Sequence, residues 1–402
     1  MFSALSLLAG TTLLAQEWPQ FLGPTRNGVY AGPALADAWS GDGPTQVWTK
    51  RIGAGFAGPV VADGRVILFH RVQDFEVIEA LDPLTGRTQW NREYVTSYRD
   101  DFGFDPGPRS VPVVADGRVF TFGAQGRLHA LDLDTGDVLW NVDTRRRFEV
   151  RKGFFGAAGS PLVQGGRVLA NVGGPEAGIV AFDVETGDLL WTATGDEASY
   201  SSAVGATFDG EDSGVFFTRN GLVAVDPATG SVRFQQRWRS RIGASVNAAT
   251  PLVIDDLIFL SSSYGTGAVT FRVRDNQLTE LWTSDDVMSN HYATTVHHDG
   301  YLYGFHGRQE YSPSFRAVEL ATGRVLWSED RFGSGTVTLA GDRLLIMRET
   351  GELMLAEASP DGFRPITSAQ VIDAPVRAYP ALANGYLYVR NDNTLVCLDL
   401  RP

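Results

Sequence analysis

Six short segments, "FDPGPRSVP", "FFGAAGSP", "ASYSSAV", "ASVNAATP", "SNHYATTV" and "PVRAYPAL", each precede an apolar run and are rich in residues that bind or react. They carry Arg109, Tyr200, Asn247, His291, Tyr292, Arg377 and Tyr379, and the loop "HGRQEYSPSF" (306–315) adds Arg308, Glu310 and Tyr311. Arginines brought to one rim would fork onto a carboxylate or phosphate, with tyrosine walls completing a polar pocket. The same residues also admit a plainer role, in which Asn, Ser and His satisfy strand-end amides and Tyr rings cover the opening between them.

Acid and base candidates are fewer. Asp100, Asp101 and Asp105 lie in "NREYVTSYRDDFGFDPGPRS" (91–110), one of two long connectors. Connectors of this length are often functional, although exposed loop carboxylates are commonly just solvated. In the other, "DTRRRFEVRKGFF" (143–155), Arg145, Arg146, Arg147, Arg151 and Lys152 would add to an anion-attracting mouth. His297 and His298 are neighbours in a hairpin, so their side chains point to opposite faces and do not pair on a metal. No metal-ligand spacing, phosphate loop or nucleophile elbow occurs, and no metal is expected. A serine triad assembled in space leaves no such spacing.

The net charge of −13 argues against nucleic acid, whose affinity rests on basic residues displacing counterions. Cys397 is the only cysteine, which rules out an intrachain disulfide and cysteine-paired zinc. The apolar run Phe2–Ala15 is too short to span a bilayer but fits a signal peptide over residues 1–16, without a lipid-bearing cysteine after it. The expectation is a periplasmic or secreted, monomeric protein with no membrane span after processing, and one domain over residues 17–402.

Eight segments place an apolar strand before a Gly or Asp-Gly turn, starting at residues 59, 112, 161, 203, 251, 295, 337 and 380, a spacing of about 46 residues. Each unit reads as four short strands, closing on phrases such as "LDLDTGDVLW" (131–140). There the Asp caps turn amides and the Gly takes a positive φ. This period predicts an all-β, eight-bladed β-propeller of four-stranded antiparallel blades. The unpaired strand "TQVWTKRI" (45–52) should complete the last blade and hide its edge. Trp48, Trp90, Trp140, Trp191, Trp282 and Trp327 share one blade position, with Phe234 replacing Trp in a further unit, and should pack between blades.

The "AxDxxTGxxxW" phrase resembles the repeat of the pyrroloquinoline-quinone (PQQ) β-propellers, and "WPQFLGPTRNGV" (18–29) is similar to the N-terminal segment of exported bacterial members. The resemblance implies the fold. It also spans quinone-dependent alcohol dehydrogenases and non-catalytic scaffolds such as the BamB assembly lipoprotein. The dehydrogenases carry adjacent cysteines beside the quinone and an acidic calcium-binding set, neither of which matches positions in this chain. The reading is therefore a binding or scaffold module for a protein partner or small anionic ligand at the channel rim. The alternative is a PQQ- and calcium-dependent oxidoreductase.

Overall fold

The computed structural model describes residues 16–39, 42–243 and 245–402, so of the expected signal peptide only Gln16 lies among the described residues. Alternating apolar residues and Asp-Gly turns produce eight blades of four antiparallel strands, in sequential order apart from the closing blade, and the seventh gains a fifth, parallel strand from Val29–Tyr30. Blade 2 is representative: Val113–Ala115, Arg118–Phe122, Arg127–Asp132 and Val138–Asp143 run from the axis outward. First strands of neighbouring blades touch one another around the axis, which makes the channel. The all-β propeller expected from the repeats is the fold.

Closure follows the sequence as well. Thr45–Arg51 pairs antiparallel with Thr394–Asp399, placing the N-terminal strand outermost in blade 8. Arg390, 1% exposed, reinforces the joint by donating to the carbonyls of Gly53 (2.7 Å) and Ala57 (3.3 Å) ahead of blade 1. A ring whose ends are joined by both a sheet ladder and a buried guanidinium leaves no free edge at the seam.

The recurring phrase builds the joints between blades. Each of the six tryptophans donates its indole N–H to a turn carbonyl of the next blade: Trp48 to Pro83, Trp90 to Leu133, Trp140 to Val184, Trp191 to Pro227, Trp282 to Leu320 and Trp327 to Ser359, all at 2.8–3.1 Å. In five of the six joints, all but that of Trp327, the Thr-Gly of the turn slides beneath the ring. At Gly136 (φ +70°) a Cβ would stand 2.5 Å from Trp90, so glycine is required for space as well as for backbone conformation. The Asp does what its position suggested, since Asp132 accepts from the amides of Asp134 (3.0 Å) and Thr135 (2.8 Å).

Residues 17–30 fill the channel. Trp18 bridges antiparallel to Val61 in blade 1, Pro19 accepts from the Val114 amide of blade 2, and Val29–Tyr30 runs parallel to Gly335–Ala340 in blade 7. All first strands run the same way along the axis, so this segment must rise through the channel and turn back down. Its turn is pinned by Arg26, 2% exposed, which donates to the carbonyls of Ala203 (2.7 Å) and Pro161 and to Gln20 Oε1 (2.7 Å). Burial pushes the Arg26 pKa down to about 9, which leaves it cationic at neutral pH.

Burial also sets a pH dependence. His70 and His129 sit in blades 1 and 2, and burial pushes their pKa values down to about 3 and about 4, with nearby Arg and Lys charges adding to the shift. Glu79 lies 3.7 Å from His70 but also binds Lys50 at 3.1 Å, so it does not offset the burial. Both imidazoles stay neutral in the fold while the unfolded chain takes up protons below about pH 6.5. Stability is therefore present above that pH and is lost as pH falls toward 4, by roughly 2 kcal/mol per histidine at pH 5. Urea unfolding at pH 8 and pH 5 should show a smaller loss for His70→Gln/His129→Gln than for the parent. Equal losses would mean that other groups carry the effect.

Candidate functional site

A cavity of about 490 Å³ opens on the face where the connectors enter the first strands. Seven residues of the predicted rim line it: Arg109, Tyr200, His291, Tyr292, Arg308, Arg377 and Tyr379. They come from blades far apart in sequence and converge because each follows the same step of the repeat. Asn247 does not join them. It is fully buried, donates from Nδ2 to the Thr218 carbonyl (2.8 Å), and accepts the Tyr200 amide on its own carbonyl (2.9 Å). Its part is to hold Tyr200 in place.

Hydroxyl residues of the entering segments tie blade to blade. Ser160 Oγ accepts from the Val111 amide (2.9 Å), Ser202 Oγ from the Ser160 amide (3.0 Å), and Thr294 Oγ1 from the Thr250 amide (3.0 Å). The Tyr379 hydroxyl accepts from the Thr294 amide, and its ring meets Phe21 of the channel segment edge-on at 4.9 Å. These Ser, Thr and Asn side chains are taken up by backbone groups at the strand entrances. The wider aromatic and charged residues are left to face the cavity.

The arginines arrive already paired. Arg109 bonds Asp100 at 2.9 Å and stacks on Phe56 and Phe155, each 5.3 Å from its guanidinium carbon. Arg308 forks onto Glu310 (2.8 and 3.2 Å) over the ring of Tyr264. Arg377 gives only Nε, to Glu349 at 2.5 Å, and among the described residues its two Nη nitrogens have no hydrogen-bond partner. Of the three, Arg377 has the most unused donor capacity facing the cavity.

Asp100 and Asp105 serve the connector itself. Asp100 also accepts from the amides of Phe102, Phe104 and Asp105, and Asp105 from those of Gly55 and Gly107. Asp101 pairs with Lys152 across the two long connectors. These bonds hold the connector over the mouth, where Phe102 and Phe104 remain 56% and 54% exposed. With Phe21, Phe56, Phe154 and Phe155 they make a six-phenylalanine lining. Four of those phenylalanines, Phe102, Phe104, Phe154 and Phe155, lie in the two long connectors and carry no repeat signal.

His291 lies 2.8 Å from the Tyr264 hydroxyl through Nε2, and its Nδ1 has no partner among the described residues. Burial pushes its pKa down to about 4, so the ring is neutral at pH 7. His297 accepts from the Gly300 amide within its hairpin, away from the mouth. Arg145, Arg146 and Arg147 form a single helical turn, Thr144–Arg147, beside the mouth. Among the described residues no cluster of His, Cys, Asp and Glu is arranged to hold a metal, and no helix is long and apolar enough to cross a membrane.

The family model described as outer membrane protein assembly factor BamB, a PQQ-repeat model, matches residues 74–329. The chain belongs to this PQQ-like propeller family. Among curated relatives, BamB of Moranella endobia is 24% identical over 267 residues, 62% of this chain and 64% of that protein. The quinohemoprotein alcohol dehydrogenase ADH-IIG of Pseudomonas putida is 35% identical over 142 residues, 34% of this chain but only 19% of the enzyme. The chain thus matches about a fifth of the length of such dehydrogenases. Among solved structures, BamB from Moraxella catarrhalis has a TM-score of 0.66 at 16% identity, covering 89% of this chain and 99% of that one. The quinohemoprotein alcohol dehydrogenase from Comamonas testosteroni has a TM-score of 0.67, also at 16% identity, covering 96% and 81%. At such identities the likeness is one of fold.

Proposed function

We propose that this family member is an exported, non-catalytic binding module whose channel mouth takes a small molecule or partner segment carrying an aromatic group beside a carboxylate. The observation behind this reading is the six-phenylalanine lining next to the unused Nη donors of Arg377. Exposed aromatic clusters of this kind are characteristic of binding surfaces, and a guanidinium beside them fixes the orientation of a carboxylate. The relatives named as assembly factors agree with a scaffold role, and a periplasmic or secreted location is part of the same reading.

Of the rim arginines, Arg377 alone would hold the anion. Arg109 is consumed by Asp100 and two aromatic faces, so its removal should loosen the connector rather than subtract a ligand contact. The test is titration calorimetry with a short acetylated peptide ending in Phe, against the same peptide as its C-terminal amide. The acid should bind more tightly, and Arg377→Ala should weaken the acid about tenfold and the amide hardly at all. Equal affinity for acid and amide would remove the carboxylate from the proposal. In addition, Phe102→Ser/Phe104→Ser should weaken both peptides by about tenfold or more, since two exposed aromatic contacts are lost.

The quinone alternative meets a poor fit. The channel axis is filled by Phe21, Leu22 and Arg26, and the mouth carboxylates are already bound to arginines. Cys397 is buried in blade 8 against Tyr388, where burial pushes its thiol up to about 12, and no second thiol exists to form a pair. No catalytic step is assigned to these residues.

A further inference from the structure

Beside the mouth, between the connectors of blades 2, 3 and 4, lies a second cavity of about 840 Å³. It shares the walls Phe154, Ala158 and Tyr200 with the mouth but has a different chemistry. Its lining carries Arg99, Arg145, Arg151, Lys152 and Arg219 against Asp101, Glu149 and Glu197, an excess of two positive charges in a chain of net charge −13. Lys152 is paired with Asp101. Among the described residues, the four arginines form no ion pair.

Arg219 makes this more than a solvated basic surface. It is only 7% exposed and stands at the inner wall, donating from Nη1 to Ser245 Oγ (2.9 Å) and from Nη2 to the Gly243 carbonyl (2.6 Å). Both acceptors are neutral, and burial together with nearby Arg239 lowers its pKa. Glu197 opposes that shift through its charge but forms no ion pair with Arg219, and a buried cation hydrogen-bonded only to neutral groups is costly unless an anion completes the site. Arg145 and Arg151 stand exposed at the opening, where they would draw an anion inward.

We infer that this cavity is a second ligand site, distinct from the mouth, that binds the oxyanion group of a small molecule against Arg219, with Arg145 and Arg151 closing over it. Phosphate and carboxylate share the needed chemistry: a compact negative charge with several acceptor oxygens for guanidinium donors. The volume exceeds that of a bare ion, so the anion would be part of a larger molecule.

The experiment is isothermal titration of the full protein with pyrophosphate and, separately, citrate at constant ionic strength. Saturable binding of either supports the site, and the preferred probe assigns phosphate or carboxylate chemistry. Arg145→Ala/Arg151→Ala should weaken that binding about fivefold or more and Arg219→Gln about tenfold or more. Arg87→Ala, in a turn on the opposite face, should leave it unchanged. If Arg219→Gln fails to fold, as judged by circular dichroism, the Arg145/Arg151 double variant decides alone. No saturable binding of either probe, or wild-type binding by the double variant, would overturn the inference. Arg377→Ala separates this site from the mouth. Retained anion binding supports a second site, whereas loss would place the anion at the mouth and sink this inference while leaving the mouth proposal standing.

Discussion

Arg26→Ala should lower the unfolding free energy by about 3–5 kcal/mol, the largest loss expected from any single side chain of the channel segment. Arg26 is buried and donates to the carbonyls of Pro161 and Ala203 at the junction of blades 3 and 4, and to Gln20 within its own turn. Truncation would leave those carbonyls facing a void with no donor, each at the cost of an unsatisfied buried group. It would also release the turn that carries Phe21, the floor of the mouth. Arg26→Lys keeps the charge but not the fork and should recover only part of the loss. Urea unfolding monitored by tryptophan fluorescence gives the values. A loss under about 1 kcal/mol would mean that residues 17–30 are not part of the cooperative unit.

Gly136→Ala should cost about 3 kcal/mol or more, and Gly117→Ala only about 1 kcal/mol. The two glycines have almost the same backbone, with φ of +70° and +69°. A Cβ at Gly117 meets nothing within 4 Å, whereas one at Gly136 meets the Trp90 ring at 2.5 Å. The backbone penalty is therefore common to both, and the difference measures the joint between blades 1 and 2. Widening that joint would also strain the indole bond from Trp90 to the Leu133 carbonyl, at 2.9 Å. Thermal and urea unfolding of the two variants side by side would check it. Equal losses would show that the Thr-Gly turn matters only for its φ and that the tryptophan adapts.

Much of the frame was legible from the residues. Blade number, strand order and closure by Thr45–Arg51 follow from a pattern repeated eight times, and repeated patterns average out local ambiguity. The tryptophan joints were legible for the same reason, although the glycine beneath five of the six rings was visible only as a turn residue. The candidate mouth was partly legible, because position in the repeat fixes which side chains reach one face. That reasoning placed Arg377 and Tyr379 on the cavity wall, and it placed Asn247 there too, although its side chain turns back to the Thr218 carbonyl.

The chain by itself determined the propeller, its seams and the face on which the entering connectors gather. Those properties depend on periodic residues whose contacts repeat at a fixed separation. Only the tertiary structure decided that residues 17–30 fill the channel, that Arg109 is committed to Asp100, and that Arg377 keeps donors unused. It alone decided that Arg219 is buried beside a basic cavity without a carboxylate partner among the described residues. The physical reason is that charge pairing and burial at the mouth come from single, non-repeating contacts between connectors. Which partner a side chain finds there is fixed by three-dimensional proximity, which no local spacing in the sequence encodes.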